Sequence, residues 1–231
     1  MSRKKILTIE NLIEEAQYFC IEQSKIQYKD LYGVTDGKAV GTFIEHKFQI
    51  HLSEKYEVSI GSSAKGIDLP SDNIQTDIKV TSIKQPQSSC PFKDAKQKIF
   101  GLGYNLLVFV YDKTDYPKMQ TAILNFVSCS FICKERTADY TTTYRLREMI
   151  NDGANEADII AYLQDKNIPA DEITLRKIAT QILRTPPEQG YLTISNALQW
   201  RLQYQRIVDL KDNIIGINKI ICHNKFINES I

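Results

Sequence analysis

Apolar residues at Ile9, Leu12, Ile13, Ala16, Phe19 and Cys20 recur every three or four positions, which predicts an amphipathic helix from Ile9 to about Asp30. A second helix is expected from Asp36, a residue suited to an N-cap, to Ser53, with Val40, Phe43, Ile44, Phe48 and Leu52 as its inner face. Glu45 and His46 fall beside or opposite that stripe. The period then shortens to two. Lys55–Ser62 alternates, Gly66–Leu69 is short, and Thr76–Ile83 alternates cleanly, so three strands are expected. The link PSDN between the last two holds turn-forming residues, and an antiparallel hairpin is the economical arrangement. A basic helix from Phe92 to Leu102 precedes two apolar runs, Leu106–Tyr111 and Thr121–Ile132, read as central strands covered on both faces.

Past Glu135 the pattern turns helical, with segments at Tyr144–Asp152, Asn155–Lys166, Asp171–Leu183 and Ser195–Leu210. The second and third, joined by NIPA, have the outline of a helix-turn-helix, and GYLTIS after Pro187 has that of a small wing. Two short amphipathic helices around a Pro-containing turn also arise from plain packing. The fold class is therefore α/β: a mixed central sheet flanked by helices over residues 1–135, followed by a mainly helical region over 136–231.

Composition narrows the function classes. The chain has 231 residues, 42% apolar and 25% charged, enough for a substantial core. Its 29 basic and 28 acidic residues leave a net charge of +1, so any polyanion site is local rather than global. No apolar run approaches a bilayer span, and the start MSRKKILTIENLIEEAQ turns acidic early, so a soluble cytoplasmic protein is expected, with no membrane partner. Five cysteines without a CxxC pair, and only three scattered histidines, His46, His51 and His223, give no zinc pattern. No GxxxxGK[ST] loop is present and Gly101-Leu-Gly103 lacks a third glycine, so no nucleotide cofactor is expected.

The chemistry concentrates in GIDLPSDNIQTDIKV, residues 66–80. Side chains alternate along a strand, so Asp77 and Lys79 share one face while Ile78 and Val80 face the core. Asp68, across the hairpin, comes close to Asp77, and two such carboxylates repel unless a cation lies between them. A hard ion such as Mg²⁺ suits oxygen ligands. Acid-x-Lys also occurs at Asp36–Lys38, Glu45–Lys47, Asp94–Lys96 and Asp209–Lys211, but those lie at helix ends or in helical patterns where residues two apart diverge. Only Asp77 sits in an apolar alternating strand behind a second acid. The plain alternative is an edge strand with a surface Asp/Lys pair.

This arrangement resembles the PD-(D/E)xK nuclease superfamily, with Asp68 as first acid, Asp77 at the D/E position and Lys79 as the lysine. The following KVTSIKQPQSSCPF stretch, basic helix and central strand are similar to type II restriction endonucleases over about residues 40–132. No Pro directly precedes Asp68, and the second acid is Asp rather than the commoner Glu. The resemblance implies Mg²⁺ held by Asp68, Asp77 and the Ile78 carbonyl, with Lys79 acting on the attacking water and products ending in 5′-phosphate and 3′-hydroxyl. An unperturbed lysine, with a pKa of about 10.4, is a poor base, so Lys79 either is lowered or serves as an electrostatic clamp. Glu45, on the preceding helix, is either a supplementary acid, as superfamily members often have, or a solvated surface residue.

Contacts to double-stranded DNA are expected from local cations and amides. Lys84 and Lys93 suit phosphates, and Gln85, Gln87, Ser88 and Ser89 suit base edges. In the tail, Ile173, Leu175, Ile178, Ala179 and Ile182 are expected to face inward, leaving Thr174, Lys177 and Gln181 outward with Arg176 and Arg184 nearby, toward a major groove. A palindromic target favours a homodimer. The alternatives are a repair or recombination nuclease on the same fold, and a non-catalytic helix-turn-helix regulator.

Overall fold

A computed structural model describes residues 4–61, 66–90, 93–195 and 200–222. In chain order the elements are β1 (Lys5–Ile6), α1 (Ile9–Gln23), β2 (Gln27–Tyr28), α2 (Gly37–Lys55), β3 (Tyr56–Glu57), β4 (Thr76–Ser82), β5 (Gln87–Ser89) and α3 (Gln97–Phe100). There follow β6 (Asn105–Tyr116), β7 (Thr121–Ile132), α4 (Tyr140–Asn151), α5 (Glu156–Asp165), α6 (Glu172–Arg184), β8 (Thr193–Ile194), β9 (Arg201–Gln203), α7 (Gln205–Val208) and β10 (Ile217–Cys222). The chain forms two compact units, Met1–Ser88 with Asn105–Ile132 and Val208–Ile231, and Ser89–Tyr104 with Cys133–Ile207. Compactness thus does not follow a sequential split into 1–135 and 136–231, because β10 returns to pair with β7.

The first unit is a mixed sheet of order β10-β7-β6-β4, with β2 also on β7. β4 runs parallel to β6, while β6–β7 and β7–β10 are antiparallel. Asp36 caps α2 by accepting the Lys38 N–H at 2.9 Å. Phe19 of α1 and Phe48 of α2 meet edge to face at 5.0 Å, and Phe48 meets Phe109 of β6 at the same distance. These rings, with Phe126 of β7, form a fully or nearly buried core between the helices and the sheet.

Several expectations need correction here. The first helix ends at Gln23, not near Asp30, because the buried Ser24 hydroxyl donates to the Cys20 carbonyl at 2.7 Å and accepts the Phe126 N–H at 3.0 Å. That frees the chain to form β2. Of Lys55–Ser62 only β3 is a strand, pairing in parallel with β1, and Ser62 lies outside the described residues. The Gly66–Leu69 strand reduces to one antiparallel bridge, Leu69 to Thr76, across the longer loop 70–75. β4 lies at an edge of the sheet order.

The second unit gathers α3 to α6 around Ile99, Leu146, Ile159, Leu163, Leu175, Ile178 and Ile182. Asn155 opens α5 with a full capping box and Asp171 caps α6 through the Thr174 N–H. Tyr191–Ser195 does contribute a strand, since β8 pairs antiparallel with β9. The basic helix Phe92–Leu102 is helical only over Gln97–Phe100, with Pro91 and Phe92 outside the described residues. Of the expected Ser195–Leu210 helix, residues 196–199 lie outside the described residues, Arg201–Gln203 form β9, and only Gln205–Val208 are helical. Trp200, Leu202 and Tyr204 are buried while Arg201 is exposed, a period of two that makes β9; the four-residue spacing of Trp200 and Tyr204 fits both periods.

Candidate active site

β4 supplies the site because of what an edge strand leaves open. In a strand, a residue's N–H and C=O point to the same side, and on β4 the outward residues are Thr76, Ile78 and Val80. Thr76 exchanges both bonds with Leu69, at 3.0 and 2.9 Å. The Ile78 N–H donates to Asp68 Oδ2 at 2.7 Å. The Val80 carbonyl faces Gly41 of α2, where a Cβ would sit 3.3 Å away. One side of one strand therefore fixes the Asp68 hairpin and the α2 helix in succession. It also leaves the Ile78 carbonyl on the open side of β4.

Gly41 brings α2 close to β4, and Glu45 lies one turn further along the same helix face. The Asp68 carboxyl lies near enough to both Glu45 and Asp77 to act on the ionisation of each. Lys79 Nζ pairs with Asp77 Oδ2 at 2.7 Å, as expected for side chains on one strand face. Asp77 is 4% exposed although β4 is an edge strand, so the Asp/Lys pair is buried at its acid end. Burial pushes its carboxyl up to about 7, against the opposing Lys79 charge and with the Asp68 hydrogen bond adding to the rise. Burial, then the Asp68 charge and hydrogen bond, push Glu45 up to about 7 as well, with Lys79 opposing. With Asp77 and Glu45 both raised beside the Asp68 carboxyl, added positive charge here would favour their ionised forms.

The other expected residues fall in two places. Lys84 and Gln85 are exposed in the turn directly after β4 and Gln87 and Ser88 are half-buried in β5, while Ser89 and Lys93 are exposed in the second unit. Arg176, Lys177 and Gln181 are exposed on α6, and Arg176 pairs with Glu172 at 3.0 Å. Ile173, expected inward, is 67% exposed, because the Asp171 cap starts the helix with Leu175, Ile178 and Ile182 as its buried stripe. His223 lies outside the described residues.

Two positions carry the site without having been singled out by pattern. Gly61 donates its N–H to the Asp68 carbonyl at 2.7 Å, and a Cβ there would lie 2.0 Å from the Ile67 carbonyl oxygen. Gln49, buried one turn beyond Glu45, donates from Nε2 to Glu45 Oε1 at 3.4 Å. A glycine inside a helix costs about 1 kcal/mol relative to alanine, so Gly41 was the one visible signal of close approach.

Among the described residues no three His, Cys, Asp or Glu side chains are placed to hold a metal ion. Asp68, Asp77 and the Ile78 carbonyl, the set the resemblance implies, would offer hard oxygen donors with only two carboxylates among them. That hard oxygen set suits Mg²⁺, which commonly binds one or two carboxylates and completes its shell with water and phosphate.

A family model for type II restriction enzyme NspV matches residues 6–219. The type II restriction enzyme NspV of Nostoc sp. (strain ATCC 29411 / PCC 7524) is 52% identical over 219 residues, covering 95% of this chain and 99% of that enzyme. No solved structure matches the chain. The match runs through both compact units and includes the whole 45–81 cluster, so the chain belongs to the NspV family of type II restriction enzymes.

Proposed function

We propose that this protein is a restriction endonuclease that hydrolyses phosphodiester bonds of double-stranded DNA at a specific sequence, in the cytoplasm, as a homodimer using Mg²⁺. The observation that carries the chemistry is the meeting of Asp68, Asp77 and the outward Ile78 main chain beside the Asp77–Lys79 ion pair. Asp68, Asp77 and the Ile78 carbonyl would hold Mg²⁺, which when bound supplies positive charge against the scissile phosphate and its developing negative charge. Asp77 also holds the Lys79 ammonium at the site edge, 2.7 Å away. From there the ammonium orients the attacking water and attracts the phosphate. Glu45, held by Gln49, takes up a proton from the site or gives one to it as the charge between the carboxyls changes.

Lys84, Gln85, Gln87, Ser88, Ser89 and Lys93 offer the cations and amides for backbone and base contacts, and Arg176, Lys177 and Gln181 offer a second such surface on α6. Two copies related by a twofold axis would present one active site to each strand of a palindrome.

The test is Asp77→Ala. Purified protein incubated with plasmid DNA and Mg²⁺ should give discrete fragments, and the variant should give none while retaining DNA binding in a mobility-shift assay. Intact plasmid with wild-type protein across many DNA substrates would sink the nuclease reading. Unchanged cleavage by the variant would sink the site.

A further inference from the structure

The strand face that carries Asp77 and Lys79 has a third member. Thr81 is two residues beyond Lys79, roughly 7 Å along a strand that rises about 3.3 Å per residue, and it is 6% exposed. Its hydroxyl accepts the Gln87 N–H at 3.1 Å and its single proton is shared between the Gln87 carbonyl at 3.0 Å and the Gln85 carbonyl at 3.3 Å. A single side chain thus engages both main-chain groups of Gln87, as a neighbouring strand would.

The turn between them is closed by further bonds. The Ile83 N–H donates to the Tyr111 carbonyl at 2.9 Å, extending the β4–β6 ladder past the end of β4, and the Gln85 N–H donates to the Ser82 carbonyl at 3.3 Å. The Lys84 N–H donates to Ser82 Oγ at 3.3 Å. Pro86 is buried, whereas Lys84 and Gln85 present their side chains to solvent. The turn is therefore a fixed platform with a cation and an amide at its tip, and its anchor is on the same strand face as the acid and the lysine.

We infer that Thr81 is a positioning residue that holds the Lys84–Gln87 turn in register with Asp77 and Lys79, so that base reading by Gln85 and phosphate placement at the acids are set by one strand. The inference rests on the endonuclease reading above. It names the part of that enzyme that couples sequence discrimination to cutting. The buried hydroxyl has no other hydrogen-bond partners in this turn, and a valine of nearly the same shape would keep the packing while releasing both main-chain groups of Gln87.

The test uses a randomised DNA duplex pool with Mg²⁺, with the cut ends sequenced, for wild type, Thr81→Val, Thr81→Ser, Gln85→Ala and the double variant Thr81→Val/Gln85→Ala. Loss of one bidentate base contact is worth roughly 10- to 100-fold in discrimination. Thr81→Val should lower the ratio of preferred-site to one-mismatch kcat/KM by about tenfold or more, and Thr81→Ser should restore it, which a merely structural packing role would not do. The double variant should be no worse than the more severe single one, because both act on one contact. Unchanged site preference in Thr81→Val, or single-variant effects that multiply, would overturn this inference alone. No cutting by wild type would overturn the nuclease reading and this inference with it. A Thr81→Val protein that fails to fold leaves the decision to Thr81→Ser and Gln85→Ala: unaltered discrimination in Gln85→Ala rejects the inference, and its loss there with full retention in Thr81→Ser supports it.

Discussion

Asp77 and Glu45 are held near neutrality by the same two causes, burial and a neighbouring carboxyl, and this gives the protein a pH dependence of definite sign. Both carboxyls are raised to about 7 from ordinary values of 3.8 and 4.5. Between those values and about 7 the folded, metal-free protein binds more protons than the unfolded chain, so its stability falls as pH rises through that window. Glu15 has the opposite sign: burial raises it, but hydrogen bonds from Lys55, His51 and Tyr56 outweigh that and lower it below 4.5. Its contribution is lost only on acidification below that value, outside the window. Metal-free protein should therefore melt higher at pH 6 than at pH 8, and Mg²⁺ should raise the melting temperature more at pH 8 than at pH 6. Asp77→Asn should flatten both differences in a thermal-shift series. Equal Mg²⁺ shifts at the two pH values would contradict the assignment of the acids as ligands.

At the scale of elements, the docking of α2 on the edge of β4 decides where Glu45 sits. Gly41 permits that approach, since an added Cβ would be 3.3 Å from the Val80 carbonyl, main-chain atoms that cannot rotate away. Gly41→Ala would gain about 1 kcal/mol of helix propensity and lose roughly 1–3 kcal/mol to overpacking. A net change of no more than about 2 kcal/mol is expected in chemical denaturation, with a disproportionate fall in kcat as α2 and Glu45 move off the acids. Wild-type kcat in Gly41→Ala would show that the close approach does not position the site. The Glu15 cluster, with His51 and Lys55 both 2.7 Å from one carboxylate oxygen, holds α1 against the far end of the same helix and limits how α2 can adjust.

For the whole molecule, a net charge of +1 means that DNA affinity comes from a few placed cations rather than from bulk attraction. Each phosphate neutralised contributes about −0.9 to the slope of log Kobs against log salt. Lys84→Ala, measured with the catalytically silent Asp77→Ala background so that DNA stays intact, should reduce the slope by about one and weaken binding on all sequences alike. A variant with changed sequence preference and an unchanged slope would move Lys84 from phosphate contact to base reading. No described helix is long and apolar enough to cross a membrane.

The local elements were largely legible because their causes are local. Asp36, Asn155 and Asp171 cap helices where the pattern placed them, and the alternation of Thr76–Ser82 put Asp77 and Lys79 on one face, 2.7 Å apart across their ion pair. The four other acid-x-Lys pairs were set aside for the same reason, and Asp36 is indeed occupied as a cap. What short-range pattern could not settle was pairing at a distance. Strand order made β4 an edge and β10 a partner of β7, and the ambiguous spacing of Trp200 and Tyr204 was resolved as a strand by its partner β8. Glu45 could be read with equal right as a surface residue until Gly41 was seen against Val80, since helix position fixes a direction but not the neighbour met there. The sequence by itself determined which residues have the chemistry and which face of their own element they occupy; tertiary structure alone decided which elements meet, because burial and hydrogen bonding between distant segments depend on the packing of the whole chain.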